Sequence, residues 1–188
     1  MNFSNNFRYI LITVLSIANL QIANRAIAIK APDGTVSFEK SPLLIDSHAT
    51  FNNTRVGQAR YYFDLELPGN IGESLQRVTI SQRQGSERIK FILDKTKAYL
   101  GTHNKKQEEL NFTISQNEES KAISIIFDRP IAPGNRLTIG LKPRRNPDFG
   151  GVYLFGITAF PVGKKSSGLY LGAGRLHFYQ NHDSLFGH

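Results

Sequence analysis

The sequence predicts an all-β protein: an antiparallel β-sandwich of immunoglobulin-like or jelly-roll-like form, with a barrel as the alternative. Three observations carry this. Apolar residues recur with period two in run after run, turn-forming residues separate the runs at short intervals, and no stretch sustains a long 3.6-residue apolar stripe. Successive strand side chains point to opposite faces, so each alternating run is a strand with one face on a core. Many short strands at regular spacing are the pattern of sandwiches and barrels.

The first clean strand spans residues 60–67. Tyr61, Phe63, Leu65 and Leu67 share one face, Arg60, Tyr62, Asp64 and Glu66 the other, and Pro68-Gly69-Asn70 ends it. The alternation returns at Val78 and Ile80; at Ile89, Phe91 and Leu93; and at Leu110, Phe112 and Ile114. It continues at Ile123, Ile125 and Phe127 and at Leu137, Ile139 and Leu141, with turns at Gln84-Gly85-Ser86, 117–120 and 130–135. Short helical turns are expected within 69–75 and 93–100.

The uncharged stretch GGVYLFGITAFPVG, residues 150–163, is apolar at both parities. Val152, Leu154 and Phe160 fall on one face, and Tyr153, Phe155, Ile157 and Ala159 on the other. It is too short, and too interrupted by Gly and Pro, for a membrane span. The pattern predicts a strand in the interior or at a seam between layers, with Phe155 and Ile157 buried and Gly156 at a bulge or crossing point. In the last run Arg175, His177 and Tyr179 share one face and Leu176 and Phe178 the other. Gly172 and Gly174 just before it mark a bulge or the close approach of another chain segment.

A chain of 188 residues, 40% of them hydrophobic and including 13 Phe and 7 Tyr, supports one packed core. We expect a signal peptide over 1–28, one β-sandwich domain over 29–180 and a flexible tail over 181–188. The signal reading rests on Arg8, the apolar run 9–18 and the small-x-small pattern Ala26-Ile27-Ala28. It implies export to the periplasm or exterior, or to a thylakoid lumen, with no transmembrane segment after cleavage. The chain has no Cys, which excludes disulfides, thiolate metal sites and cysteine nucleophiles.

Net charge is +8, and +6 without Arg8 and Arg25, so anionic partners are favoured. Lys142-Pro143-Arg144-Arg145 lies in a loop stiffened by Pro143 and Pro147, where a guanidinium pair loses less entropy on clamping a phosphate or carboxylate. Lys142, Arg144, Arg145, Lys164, Lys165, Arg175 and His177 are the candidate ligand-binding residues. A solvated loop that only aids solubility is the competing reading for the first cluster.

Catalytic and metal signatures are missing. The histidines His48, His103, His177, His182 and His188 are scattered, with no HExxH pair, and no GxSxG elbow, calcium loop or phosphate loop occurs. We therefore expect no catalytic residue, no metal and no cofactor. Asp64 and Glu66 share a strand face, as a glycosidase pair would, but Arg60 and Tyr62 beside them point to a charge-compensated, solvated face. The aromatics fall mostly on apolar faces, which argues against nucleic acid.

Several segments carry a family resemblance. They are Arg60-Tyr61-Tyr62-Phe63, Leu67-Pro68-Gly69, residues 78–82, Phe127-Asp128-Arg129-Pro130 with Pro133-Gly134, and residues 137–143 with Asn146-Pro147. To these add 151–156, 158–163 and 171–179. Over 38–179 the chain resembles a cyanobacterial family of secreted domains of unknown function. The resemblance implies export from a cyanobacterial cytoplasm and a single domain, and transfers no activity or catalytic residue.

The reading is an exported, non-catalytic β-sandwich, a binding or structural module of the cell envelope or exterior. Its expected partner is an anionic polysaccharide, a phosphate-bearing glycolipid or an envelope protein. The alternative is an envelope hydrolase acting on glycans or esters through Asp64, Glu66 and His177.

Overall fold

The computed structural model describes residues 29–180. The signal peptide and tail expected over 1–28 and 181–188 lie outside them. Strands β3 (Leu43–Ala49), β4 (Tyr61–Glu66), β10 (Arg136–Leu141), β6 (Lys97–Thr102) and β7 (Lys105–Glu109) form one five-stranded sheet, in that order. Strands β12 (Leu169–Phe178), β11 (Gly151–Pro161), β5 (Leu75–Gln84), β9 (Ile123–Ile131) and β8 (Phe112–Gln116) form the second. Every pairing is antiparallel. A small ribbon of β1 (Ile29–Lys30) and β2 (Val36–Ser37) bridges through Val36 to Ser166.

The sandwich prediction holds and the barrel does not form. Edge strand β3 lies beside edge strand β12, but each pairs only within its own sheet. Gly174 on β12 permits the approach: a Cβ there would stand 2.9 Å from both the Phe63 ring and Ser47 Cβ. The core is the sum of the inward parities. Tyr61, Phe63 and Leu65 from β4 meet Tyr153, Phe155 and Ile157 from β11, with Leu137 and Ile139 from β10 and Ile123 and Ile125 from β9. The rings of Phe63 and Phe155 meet edge-on at 5.8 Å.

β11 fulfils its predicted burial: Phe155 is 1% and Ile157 0% exposed. Its other face differs from expectation. Val152, Leu154 and Phe160 are half-buried, and among the described residues no second layer covers them; the Arg77 guanidinium lies 3.8 Å from the Phe160 ring centroid. Long side chains of the same sheet thus replace a packed layer. Register shifts flank Gly156, and Gly172, with φ +113°, sits at one of them.

Three elements depart from the sequence reading. The 93–100 segment holds only a 3-10 turn, Leu93–Lys95, before β6 begins, because Ala98 packs inward while Tyr99 is buried on the outer face. Apolar residues at successive positions conceal the period there. The run at Ile89, Phe91 and Leu93 forms no ladder, only a single bridge from Phe91 to Pro143. β7 is exposed throughout and has no apolar alternation to detect; hairpin pairing with β6 makes it a strand.

Candidate functional site

At the pole where β10 ends and β11 begins, two loops run side by side. The Ile92 amide donates to the Lys142 carbonyl at 2.8 Å, and the Arg144 amide to the Lys90 carbonyl at 2.8 Å. Gln82 stitches the first loop: its Nε2 donates to the Glu87 carbonyl at 2.6 Å, and its Oε1 accepts from the Ile89 amide at 2.9 Å. Asn146 anchors the second. Fully buried, it accepts from the Tyr61 hydroxyl at 3.0 Å and donates to the carbonyls of Phe51 and Asn53 at 2.8 and 2.7 Å.

Beside these loops, against the β8–β9 hairpin, opens a cleft of about 350 Å³. Its floor includes Ile80, Phe91, Ile123 and Phe155, and its rim holds Arg88, Lys90, Lys121 and Arg144. A second hollow of about 300 Å³ shares Arg88, Lys90 and Arg144 and adds Arg145. The four rim cations are exposed, and none forms an ion pair with a carboxylate among the described residues. An apolar floor under unpaired cations suits an anionic head on an apolar body.

The predicted residues divide over four places. Arg144 and Arg145 come together at the second hollow, with Arg144 alone on the cleft and Arg145 also bound to Asp148 at 2.8 Å. Lys142 points the other way: its ammonium donates to the carbonyls of Gly57 and Ala59, and burial, with Arg60 nearby, holds its pKa below the usual lysine range. Lys164 and Lys165 follow the far end of β11, about 33 Å away at a strand rise of ~3.3 Å per residue. There the Lys165 ammonium pairs with Asp33. Arg175 and His177 are exposed on edge strand β12, where His177 lies tilted against Tyr179 at 4.5 Å between centroids. Arg88, Lys90 and Lys121 were missed; Arg88 and Lys90 meet Arg144 only through the loop pairing, and Lys121 joins them from the β8–β9 turn.

The hydrolase residues do not converge. Glu66 pairs with Arg136 at 2.9 Å, and His177 sits on the other sheet. The solvated face expected for Asp64 is a correction. Asp64 is 4% exposed, with Thr138 Oγ1 donating to Oδ1 at 2.5 Å and His103 Nδ1 at 2.9 Å from Oδ2. His103 reaches it from the β6–β7 turn, which folds back over the sheet. The same fold brings His103 against His48, with ring centroids 3.9 Å apart.

Residues 35–178 match the DUF2808 family, described as a protein of unknown function. The chain belongs to this family. Among curated proteins, none matches it. Several solved structures are similar to the chain at low identity. The collagen-binding domain of a Staphylococcus aureus adhesin is 13% identical, with 71% of this chain and 97% of that one covered and a TM-score of 0.36. BslA, a bacterial hydrophobin, is 14% identical, with 75% and 95% covered and a TM-score of 0.44. A cohesin module from a Clostridium perfringens family 33 glycoside hydrolase is 15% identical, with 72% and 97% covered and a TM-score of 0.39. Among the described residues no helix is long and apolar enough to cross a membrane.

Proposed function

We propose that this DUF2808 chain is an exported, non-catalytic binding module of the cell envelope or exterior, and that its polar cleft holds a phosphate-bearing or otherwise anionic glycolipid. The observation that carries this is the juxtaposition of Arg88, Lys90, Lys121 and Arg144 above an apolar floor. Cations alone would suit any polyanion; the floor of Ile80, Phe91, Ile123 and Phe155 favours a ligand with an apolar portion beside its charge. The signal-like segment at residues 1–28 and the +8 net charge support an anionic envelope ligand. Lys164 and Lys165 at the far pole, and Arg175 and His177 on β12, fall outside this footprint; a long anionic polysaccharide could reach them.

The test is binding to vesicles containing an anionic phospholipid, to neutral vesicles and to a soluble sulfated polysaccharide, each at graded salt. Anionic vesicles should bind, with affinity falling as salt rises. Arg88→Ala plus Arg144→Ala should weaken that binding at least tenfold, while Lys164→Ala plus Lys165→Ala should leave it unchanged. Binding indifferent to the first pair removes the cleft. Binding to the polysaccharide alone, weakened by both pairs, replaces the glycolipid with an extended glycan.

A further inference from the structure

The outer face of the β3-containing sheet carries a second cluster, unrelated to the cleft. On β3, Asp46 and His48 point to the same side, with His48 Nδ1 3.1 Å from Asp46 Oδ2. On the neighbouring β4, Asp64 holds His103 Nδ1 at 2.9 Å. His103 therefore rests on a buried carboxylate through Nδ1, while His48 Nδ1 and Asp46 Oδ2 face each other as two neighbouring donor atoms. A carboxylate oxygen accepts, so His103 Nδ1 carries the proton and its Nε2 presents a lone pair, while the proton between His48 Nδ1 and Asp46 Oδ2 is one that an ion would displace. His103 thus holds the tautomer in which histidine ligates a metal, with a carboxylate behind the ring fixing its orientation.

The surroundings separate a built support from adaptable ligands. Tyr62 lies beneath both rings, 5.1 Å from His48 and 6.2 Å from His103 between centroids, at 27° to each. Both Asp64 oxygens are engaged, one by Thr138 and one by His103, so Asp64 orients and does not ligate. Asp46 is exposed, and its Oδ2 faces His48 Nδ1 with only an exchangeable proton between them. One donor atom from each of Asp46, His48 and His103 lies within 4.8 Å of the other two. Donors around a tetrahedral zinc stand roughly 3.3 Å apart, given bonds of ~2.0–2.1 Å. His48 Nδ1 and Asp46 Oδ2 already stand 3.1 Å apart, and the gap to His103, at most about 1.5 Å, is closed by side chains that have room to turn on an edge strand.

We propose that Asp46, His48 and His103 bind one divalent transition-metal ion on this face. Two imidazoles and one carboxylate select zinc, copper(II) or nickel(II) over magnesium and calcium, which prefer all-oxygen sets. The ion ties the β6–β7 turn to edge strand β3, across β4 and β10.

The chain, purified without a polyhistidine tag, is titrated with zinc chloride by calorimetry at pH 7.5, with magnesium chloride as the contrast. The expected result is saturable zinc binding that includes one site lost in His48→Ala and in His103→Ala and retained in His177→Ala. Asp64→Asn should weaken that site about 10–100-fold, the effect of removing a carboxylate behind a ligating histidine. Should the alanine variants misfold, the wild-type imidazole nitrogen resonances decide: zinc must shift those of His48 and His103 and spare His177. No saturable zinc binding, or full binding by the His48→Ala plus His103→Ala variant, overturns the proposal.

Discussion

The Tyr61 hydroxyl donates to Asn146 Oδ1 at 3.0 Å where both residues are fully buried, and this bond joins the core of β4 to the loop that carries Arg144. Burial pushes the Tyr61 hydroxyl pKa well above its usual value, so the phenol stays a donor at any physiological pH. The Asn146 amide in turn donates to the carbonyls of Phe51 and Asn53. One side chain thus serves three segments.

Asn146→Ala removes all three bonds and strands the Tyr61 hydroxyl. At about 1–3 kcal/mol for a buried polar group left without its partner, it should cost roughly 2–4 kcal/mol. Tyr61→Phe loses one bond and should cost about 1 kcal/mol. Urea unfolding of both variants measures the difference, and an Asn146→Ala cost below that of Tyr61→Phe would refute the anchoring role.

Gly174 sets how closely β12 approaches β3. An added Cβ would press on the Phe63 ring and Ser47 Cβ at 2.9 Å, and both lie at the seam of the two sheets. Gly174→Ala should destabilise by about 1–3 kcal/mol, as overpacking does. Gly69→Ala is the comparison, since nothing lies within 4 Å of the added atom. Equal melting temperatures for the two variants would mean that the seam has slack.

Much of the sandwich was legible because a core imposes its parity on the chain. β4, β9, β10 and the inner face of β11 were readable from alternation alone, and Phe155 and Ile157 fall where it placed them. β7 was illegible because an exposed strand made only by pairing leaves no apolar trace. The outer face of the first sheet was misread for a related reason. Asp64 and Tyr62 look solvated in a linear pattern, and the β6–β7 turn that covers them is a tertiary event. Arg144 and Arg145 could be picked out as adjacent cations in a proline-flanked loop. Arg88, Lys90 and His103 could not, since their neighbours lie on other strands.

The buried tyrosines make the fold sensitive to alkali. Burial raises the Tyr99 pKa to about 12, with the hydroxyl of Tyr62 adding to the shift. A folded-state value above the unfolded value of ~10 means that the folded protein holds its proton more tightly. The associated stability is present below pH ~10 and is lost as pH rises from there to about 12. Thermal melting should decline across this window, and Tyr99→Phe should flatten part of the decline. A melting temperature constant from pH 9.5 to 12 would contradict the burial of these hydroxyls.

Gln82 should control the order of the cleft rim without controlling the fold. Its amide clasps the Glu87 carbonyl and the Ile89 amide, on either side of Arg88. Glu87 extends the clasp, since its Oε1 accepts from the amides of Asp148 and Phe149 at 2.5 and 3.2 Å. These bonds hold the rim loop in place but lie outside the main aromatic core, so their loss opens the loop locally. Gln82→Ala should lower global stability by only about 1–2 kcal/mol, the sum of two modest hydrogen bonds. Trypsin cleavage after Arg88 and Lys90, by contrast, should accelerate severalfold, because a protease needs an extended, freed segment. Time-resolved digestion with mass mapping reads this directly, and unchanged cleavage at both sites would show that the loop is held by other contacts, chiefly the Arg144 amide on the Lys90 carbonyl.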